Sequence, residues 1–199
     1  MTTLSISRPK MTMPKEVAAF LKEQYARSDV ILEYGAGGST VMAGQMKGKH
    51  VTSVESDRQW WHDMKVWFDA NPAAPGTTVN LIHANVGPTE KWGKPKNERM
   101  WKRFPNYPLG VWHAEGFRAP DVVLVDGRFR VGCALATAFQ IDRDTTLLMD
   151  DYGDRKRLHV VEEFLGAPRL VGRMAEFHLK PQAFPKEHML HILKFMLRP

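Results

Sequence analysis

The stretch Glu33-Tyr34-Gly35-Ala36-Gly37-Gly38-Ser39-Thr40 constrains the fold of this chain more than any other. It follows the apolar run Val30 to Glu33 and precedes Ser39 to Lys47, which reads as a helix stopped near Gly48. The glycines therefore fall between a strand and a helix, the opening unit of a parallel sheet with crossover helices. The next residues repeat that unit. Val51 to Glu55 is strand-like, Ser56 or Asp57 can cap, and Trp60, Trp61, Met64, Trp67 and Phe68 line one helical face that ends at Asn71-Pro72.

Further units follow. Val79 to Ala84 predicts a third strand, and Asp121 to Asp126, an apolar run bounded by acids, a fourth. Val131 to Ile141 predicts a buried helix and Thr145 to Met149 a fifth strand; Arg155 to Leu165 predicts a helix with Asp154 as cap and Gly166 as stop. Ahead of them, Val17, Phe20, Leu21 and Tyr25 recur at helical spacing after Pro14, so residues 1–28 make an N-terminal arm and first helix. Residues 88–120, rich in Trp, Lys, Arg and Pro without a sustained period, exceed an ordinary connection and predict a lid or insertion over the site. In the tail, Leu170 to Leu179 and Met189 to Leu197 read as two strands with no room for a crossover helix, hence an antiparallel pair. The expectation is one α/β domain over residues 1–199. It is a Rossmann-like, mostly parallel sheet with helices on both faces and a C-terminal antiparallel strand pair.

Bulk properties narrow the class. A 43% hydrophobic content over 199 residues suffices for a continuous core. The formal net charge of +6 makes an anionic substrate or nucleic acid conceivable without establishing either. The single cysteine, Cys133, lies in an apolar stretch, so no internal disulfide forms and a reducing compartment is expected. No apolar run approaches the ~20 residues of a membrane span, and the first ten residues lack a signal peptide's hydrophobic segment. A cytoplasmic location is the expectation.

Glycines at a strand-to-helix turn let a ligand approach the backbone closely. Glu55, 18 residues after Gly37 and at the end of the second predicted strand, is placed to accept hydrogen bonds from both hydroxyls of a ribose. Together these features describe an adenosine site. A dinucleotide is disfavoured, because Thr40 stands where its fingerprint has a third glycine and Glu33 would repel a pyrophosphate. Glu33 suits a cationic ligand instead. S-adenosylmethionine, with its ammonium and sulfonium, meets that requirement.

At these residues the sequence resembles the class I S-adenosylmethionine-dependent methyltransferases, whose first motif is an acid, any residue, Gly, any residue, Gly and a small residue; Glu33 to Ser39 fits it. The resemblance covers nearly the whole chain and implies a cofactor site of Glu33, Tyr34, Gly35, Ala36, Gly37, Gly38, Ser39, Thr40, Glu55, Ser56, Asn85 and Asp126. Asp126-Gly127 and the later Asp150-Asp151 are most similar to the small-molecule O-methyltransferases and their uncharacterised relatives. That implies methyl transfer to a small acceptor, with Asp126 and Asp151 as catalytic candidates. Metal-dependent relatives hold magnesium on a carboxylate cluster, matched here by Asp126, Asp150 and Asp151. Two departures stand against the metal. Asp151 replaces the usual Asn, and Arg128 and Arg130 stand where a catalytic lysine would be expected.

Arg128 and Arg130 are themselves able to hold a carboxylate or phosphate on a substrate. Lys91-Trp92-Gly93-Lys94-Pro95-Lys96, continuing to Arg99-Met100-Trp101-Lys102-Arg103-Phe104, interleaves cations with aromatics and keeps an RNA methyltransferase as an alternative. A second alternative is a non-catalytic protein of the same fold that binds the adenosine cofactor.

Overall fold

The computed structural model describes residues 6–199, so the first five residues of the N-terminal arm lie outside the described residues. In chain order the elements are α1 (Lys15–Arg27), β1 (Val30–Tyr34), α2 (Gly38–Gly44), β2 (His50–Glu55), α3 (Arg58–Ala70) and β3 (Thr78–His83). A two-strand ribbon of β4 (Thr89–Glu90) and β5 (Lys94–Pro95) then leads into α4 (Asn106–Leu109). The chain continues with β6 (Val122–Val125), α5 (Arg130–Gln140), β7 (Thr145–Met149), α6 (Glu162–Leu165), β8 (Arg169–Val171), β9 (Met174–Leu179) and α7 (Met189–Met196).

The main sheet has the order β3-β2-β1-β6-β7-β9-β8. Its first five strands run parallel, and β9 lies antiparallel to both β7 and β8. The central strands are apolar on both faces, as a sheet covered on two sides requires. Ile31, Val51, Val122, Leu124 and Leu148 pack with Val17, Leu21 and Tyr25 of α1. The alternate residues Leu32, Val54, Val123, Val125, Leu147 and Met149 pack with Cys133, Leu135 and Ala136 of α5 on the other face. Asp57 is the cap of α3, its carboxylate accepting from Trp60 N at 2.9 Å.

Two expectations are corrected. The antiparallel pair is present, but it is β8 with β9, folded about Gly172 at φ +55°; residues 189–196 form a helix that buries Ile192, Phe195 and Met196 at helical spacing. Residues 155–165 do not make one capped helix. A 3-10 segment, Lys156–Val161, precedes the short α6, and its N-cap is Arg155 rather than Asp154. The 88–120 excursion also contributes to the core, with Phe104, Tyr107 and Val111 buried beside α5.

In this order β1 is flanked by β2 on one side and β6 on the other, which makes the β1/β6 boundary the point where successive crossovers diverge. Ligands of open α/β sheets bind at the carboxyl ends of strands at such a switch point. The glycine loop after β1 and Asp126-Gly127 after β6 both lie there.

Candidate functional site

The glycine loop is held from behind by Glu33. Its buried carboxylate accepts from the hydroxyls of Tyr25 at 2.7 Å, Thr40 at 2.6 Å and Ser53 at 2.5 Å. Burial pushes the Glu33 carboxyl upward, and the three hydroxyls oppose that rise by stabilising the anion. Thr40 also accepts from Gly37 N at 2.9 Å, so one side chain joins the loop to the buried acid. Gly35, at φ +108°, needs the conformational freedom of glycine and abuts the backbone of Gly127, which a Cβ would meet at 2.9 Å. Gly37 is different. A Cβ there would meet nothing within 4 Å among the described residues, which leave the loop open on this side.

Glu55, at the end of β2, points into the same region. Its Oε1 accepts from Ser56 N at 2.7 Å and Asp57 N at 2.8 Å, while Oε2 accepts, among the described residues, only from Ala36 N, at 3.3 Å. Oε2 therefore retains accepting capacity beside the open face of the loop. Burial raises the Glu55 carboxyl, with the backbone N–H groups of Asp57, Ala36 and Ser56 pulling the other way. Trp60 Nε1 donates to Ala36 O at 2.8 Å and fixes the loop to α3.

Two segments lie over this region. Lys10 and Met11 of the N-terminal arm cover Gly38, where a Cβ would come within 2.6 Å of Lys10 O. Gly93, between β4 and β5, rests on the second acid; Ser56 Oγ donates to Gly93 O at 2.8 Å. Asn85 is exposed, and its side chain accepts from Gly87 N at 3.0 Å.

The second group is acidic. Asp126, Asp150 and Asp151 bring ligand oxygens within 4.8 Å of one another. Arginines fill the space between them. Arg130 pairs with Asp126 and Asp151 at 3.1 Å each, Arg155 with Asp151 at 2.6 Å, and Arg173 with Asp150 at 2.5 Å and Asp151 at 3.1 Å. Arg130 also donates to the main-chain oxygens of Asp126, Gly127 and Asp150, tying the ends of β6 and β7 together. Three guanidinium groups already neutralise the three carboxylates, and a divalent cation in their midst would meet like charge. The cluster does not fit magnesium. Asp126 still keeps 27% of its side chain exposed. Its pKa is pushed up to about 7, chiefly by burial and with help from Asp150 and Asp151, against the Arg130 guanidinium.

The fold thus brings the glycine loop, Glu55 and Ser56 into one region and sets Asp126 beside it, with Asp150 and Asp151 behind Arg130. Sequence reasoning missed Tyr107, whose buried ring lies by Tyr34 and Phe129 and whose hydroxyl accepts from Arg128 N at 3.4 Å. It also missed the pairing roles of Arg155, four residues after Asp151, and of Arg173, which no local spacing announces. One cavity adjoins the acidic cluster, lined by Arg128, Arg130, Arg155, Arg157 and Arg198, and another, lined by Arg8, Gln45 and Trp67, lies elsewhere. No helix among the described residues is long and apolar enough to cross a membrane.

Comparison with solved structures gives relatives at two distances. A methyltransferase-like protein from Silicibacter pomeroyi is 56% identical, with a TM-score of 0.94 over 96% of this chain and 99% of its own. A methyltransferase from Geobacter sulfurreducens is 10% identical, with a TM-score of 0.54 over 84% of this chain and 80% of its own. An O-methyltransferase of Streptomyces achromogenes involved in tomaymycin synthesis, in complex with S-adenosylmethionine, is 11% identical, with a TM-score of 0.55 over 87% and 83%. The last two show a shared fold. No family model matches the chain, and no curated protein does.

Proposed function

We propose that this chain, which belongs to the class I S-adenosylmethionine-dependent methyltransferase family, binds that cofactor at the glycine loop and methylates a hydroxyl of a small acceptor. The observation that carries the reading is Glu55 Oε2, a buried carboxylate oxygen with spare accepting capacity, directed at Ala36 beside the open face of Gly37. A ribose diol is a matching donor.

When bound, the cofactor supplies a methyl group activated by its sulfonium. The chain supplies position and a proton acceptor. Gly37, Ser39 and Ala36 leave room at the loop, Glu55 and Ser56 hold the sugar end, and Tyr34 and Gly38 complete the wall, with Asn85 at its rim. Glu33 and Thr40 act from behind by fixing the loop. Asp126, with a pKa of about 7, is suited to take the acceptor's hydroxyl proton near neutral pH. Asp151 orients Arg130 and, through it, Asp126. Since Gly93 lies over Glu55, the ribbon β4–β5 lifts before the nucleoside enters.

Calorimetry with S-adenosylhomocysteine tests the reading. Glu55→Gln should weaken binding by about 1.5 to 3 kcal/mol, the worth of a charge-assisted hydrogen bond, while circular dichroism reports a folded variant. Equal affinity in a folded variant would remove the ribose assignment.

One observation favours a second reading. Trp92 and Trp101 are 71% and 49% exposed, with Lys91 and Lys102 over their rings. This is an arrangement on which the bases of an RNA acceptor stack. Salt-sensitive RNA binding lost on substitution of Lys94, Lys96 and Arg103 would select it.

A further inference from the structure

The arginine-lined cavity next to Asp126 is a different site from the glycine loop. It measures about 150 Å³ and draws its walls from three separate parts of the chain. Arg128 comes from the β6–α5 turn, Arg155 and Arg157 from the segment after β7, and Arg198 from the end of the described chain; Gly127 and Leu158 also line it.

Other arginines near the strand ends are neutralised, and these are not. Arg130 and Arg155 have acidic partners, but among the described residues no carboxylate lies within 4.0 Å of Arg128, Arg157 or Arg198. Arg128 Nε is buried with no hydrogen-bond partner among the described residues. Leaving such a donor unsatisfied is costly, and native structures rarely do so without a ligand or solvent to complete it. Burial lowers the Arg128 pKa, and the neighbouring charges of Arg130, Arg157 and Arg155 lower it further. The turn that carries Arg128 is also unusual. Phe129 takes the left-handed conformation at φ 52° while its ring is buried against Phe104 and Tyr107, a backbone state that bulky residues seldom adopt unless the surroundings enforce it. The first turn of the eleven-residue α5 begins at Arg130, which adds the positive end of a helix.

We infer that this cavity binds an oxyanion, the carboxylate or phosphate group of the methyl acceptor, and so anchors that acceptor beside Asp126. Planar guanidinium forks match either group bidentately. The cavity accommodates a small headgroup of this kind, and its open mouth lets the rest of the molecule extend beyond it. The rest of the acceptor then extends past Gly127 toward Asp126. The role as acceptor anchor rests on the methyl-transfer reading; the affinity for an oxyanion does not.

The experiment is a thermal-shift and calorimetric titration of the full chain with inorganic phosphate, with acetate, and with chloride at matched ionic strength. Each is repeated with Arg157→Gln, whose side chain is exposed at the cavity mouth, and with Arg128→Gln. Phosphate or acetate should raise the melting temperature where chloride does not, and either substitution should weaken that response by roughly tenfold. A response to phosphate alone assigns a phosphate-bearing acceptor; a response to both assigns oxyanions generally. Equal shifts in chloride, or an undiminished response in Arg157→Gln, would overturn the site even if Arg128→Gln fails to fold. S-adenosylhomocysteine binding is measured in the same samples. If it persists while the oxyanion response is missing, this inference fails alone; an oxyanion response without cofactor binding sinks the proposed reaction and leaves the site.

Discussion

Gly93 sits against Glu55: a methyl group added at position 93 would lie 3.0 Å from Glu55 Oε1 and 2.5 Å from Ser56 Oγ. Residue 93 also has φ +69°, which favours glycine. Gly93→Ala should therefore lift the β4–β5 ribbon at a cost of about 1 to 3 kcal/mol in the covered state. Limited proteolysis should cut residues 88–103 faster in the variant. Because removing a competing closed population raises apparent affinity, S-adenosylhomocysteine should bind more tightly. Weaker binding would show that the ribbon helps hold the nucleoside rather than excluding it.

Glu33 is the acceptor for three buried hydroxyls. Glu33→Ala strands Tyr25, Thr40 and Ser53 together, and each unsatisfied group costs about 1 to 3 kcal/mol. Denaturant unfolding should show a loss of at least ~3 kcal/mol. Glu33→Gln, which keeps an acceptor, should lose less.

Asp126 has a higher pKa in the folded state, about 7, than in the unfolded chain, where a carboxyl titrates near ~3.9. The folded state holds more protons between those values, so stability falls as pH rises from about 4 toward 7. Glu33 and Glu55 are also pushed upward and act in the same direction. Asp126→Asn isolates one part, and its stability curve should lose the slope nearest neutrality. As a general base, Asp126 should make kcat/KM for a hydroxyl acceptor rise through about pH 7, and the Asn variant should lose roughly 100-fold or more.

The carboxylates behind Arg130 are already paired, so chelators should leave both cofactor binding and turnover unchanged, and added magnesium should bind without a stoichiometric end point. Arg173→Ala, by contrast, leaves Asp150 buried with its charge uncompensated. A loss of about 3 kcal/mol or more on thermal or urea unfolding is expected.

The glycine loop was readable because its determinants are local: an apolar strand, glycines and a helix within a dozen residues, with Glu55 at the next strand end. The Asp57 cap was legible for the same reason. The tail was not. Residues 189–197 are almost wholly apolar, and a short run of that kind satisfies strand and helix alike until a partner chooses a face; here the choice comes from α5, which takes Ile192, Phe195 and Met196. The turn at Gly172 was hidden inside what read as one long strand. Arg130 and Arg155 stand four residues from Asp126 and Asp151, but the third arginine partner of the acidic cluster could not be read, because Arg173 is 23 residues from Asp150 and meets it only after β9 has paired with β7.

That pairing also dictates when the sheet can be finished. β9 is the last strand of the chain yet lies inside the sheet, between β7 and β8. On the ribosome, five parallel strands must wait with β7's outer backbone unpaired until residues 174–179 emerge, and β8 has nothing to join meanwhile. An open strand border is the surface through which two nascent chains associate, so stalled or shortened products ending before residue 174 should be aggregation-prone.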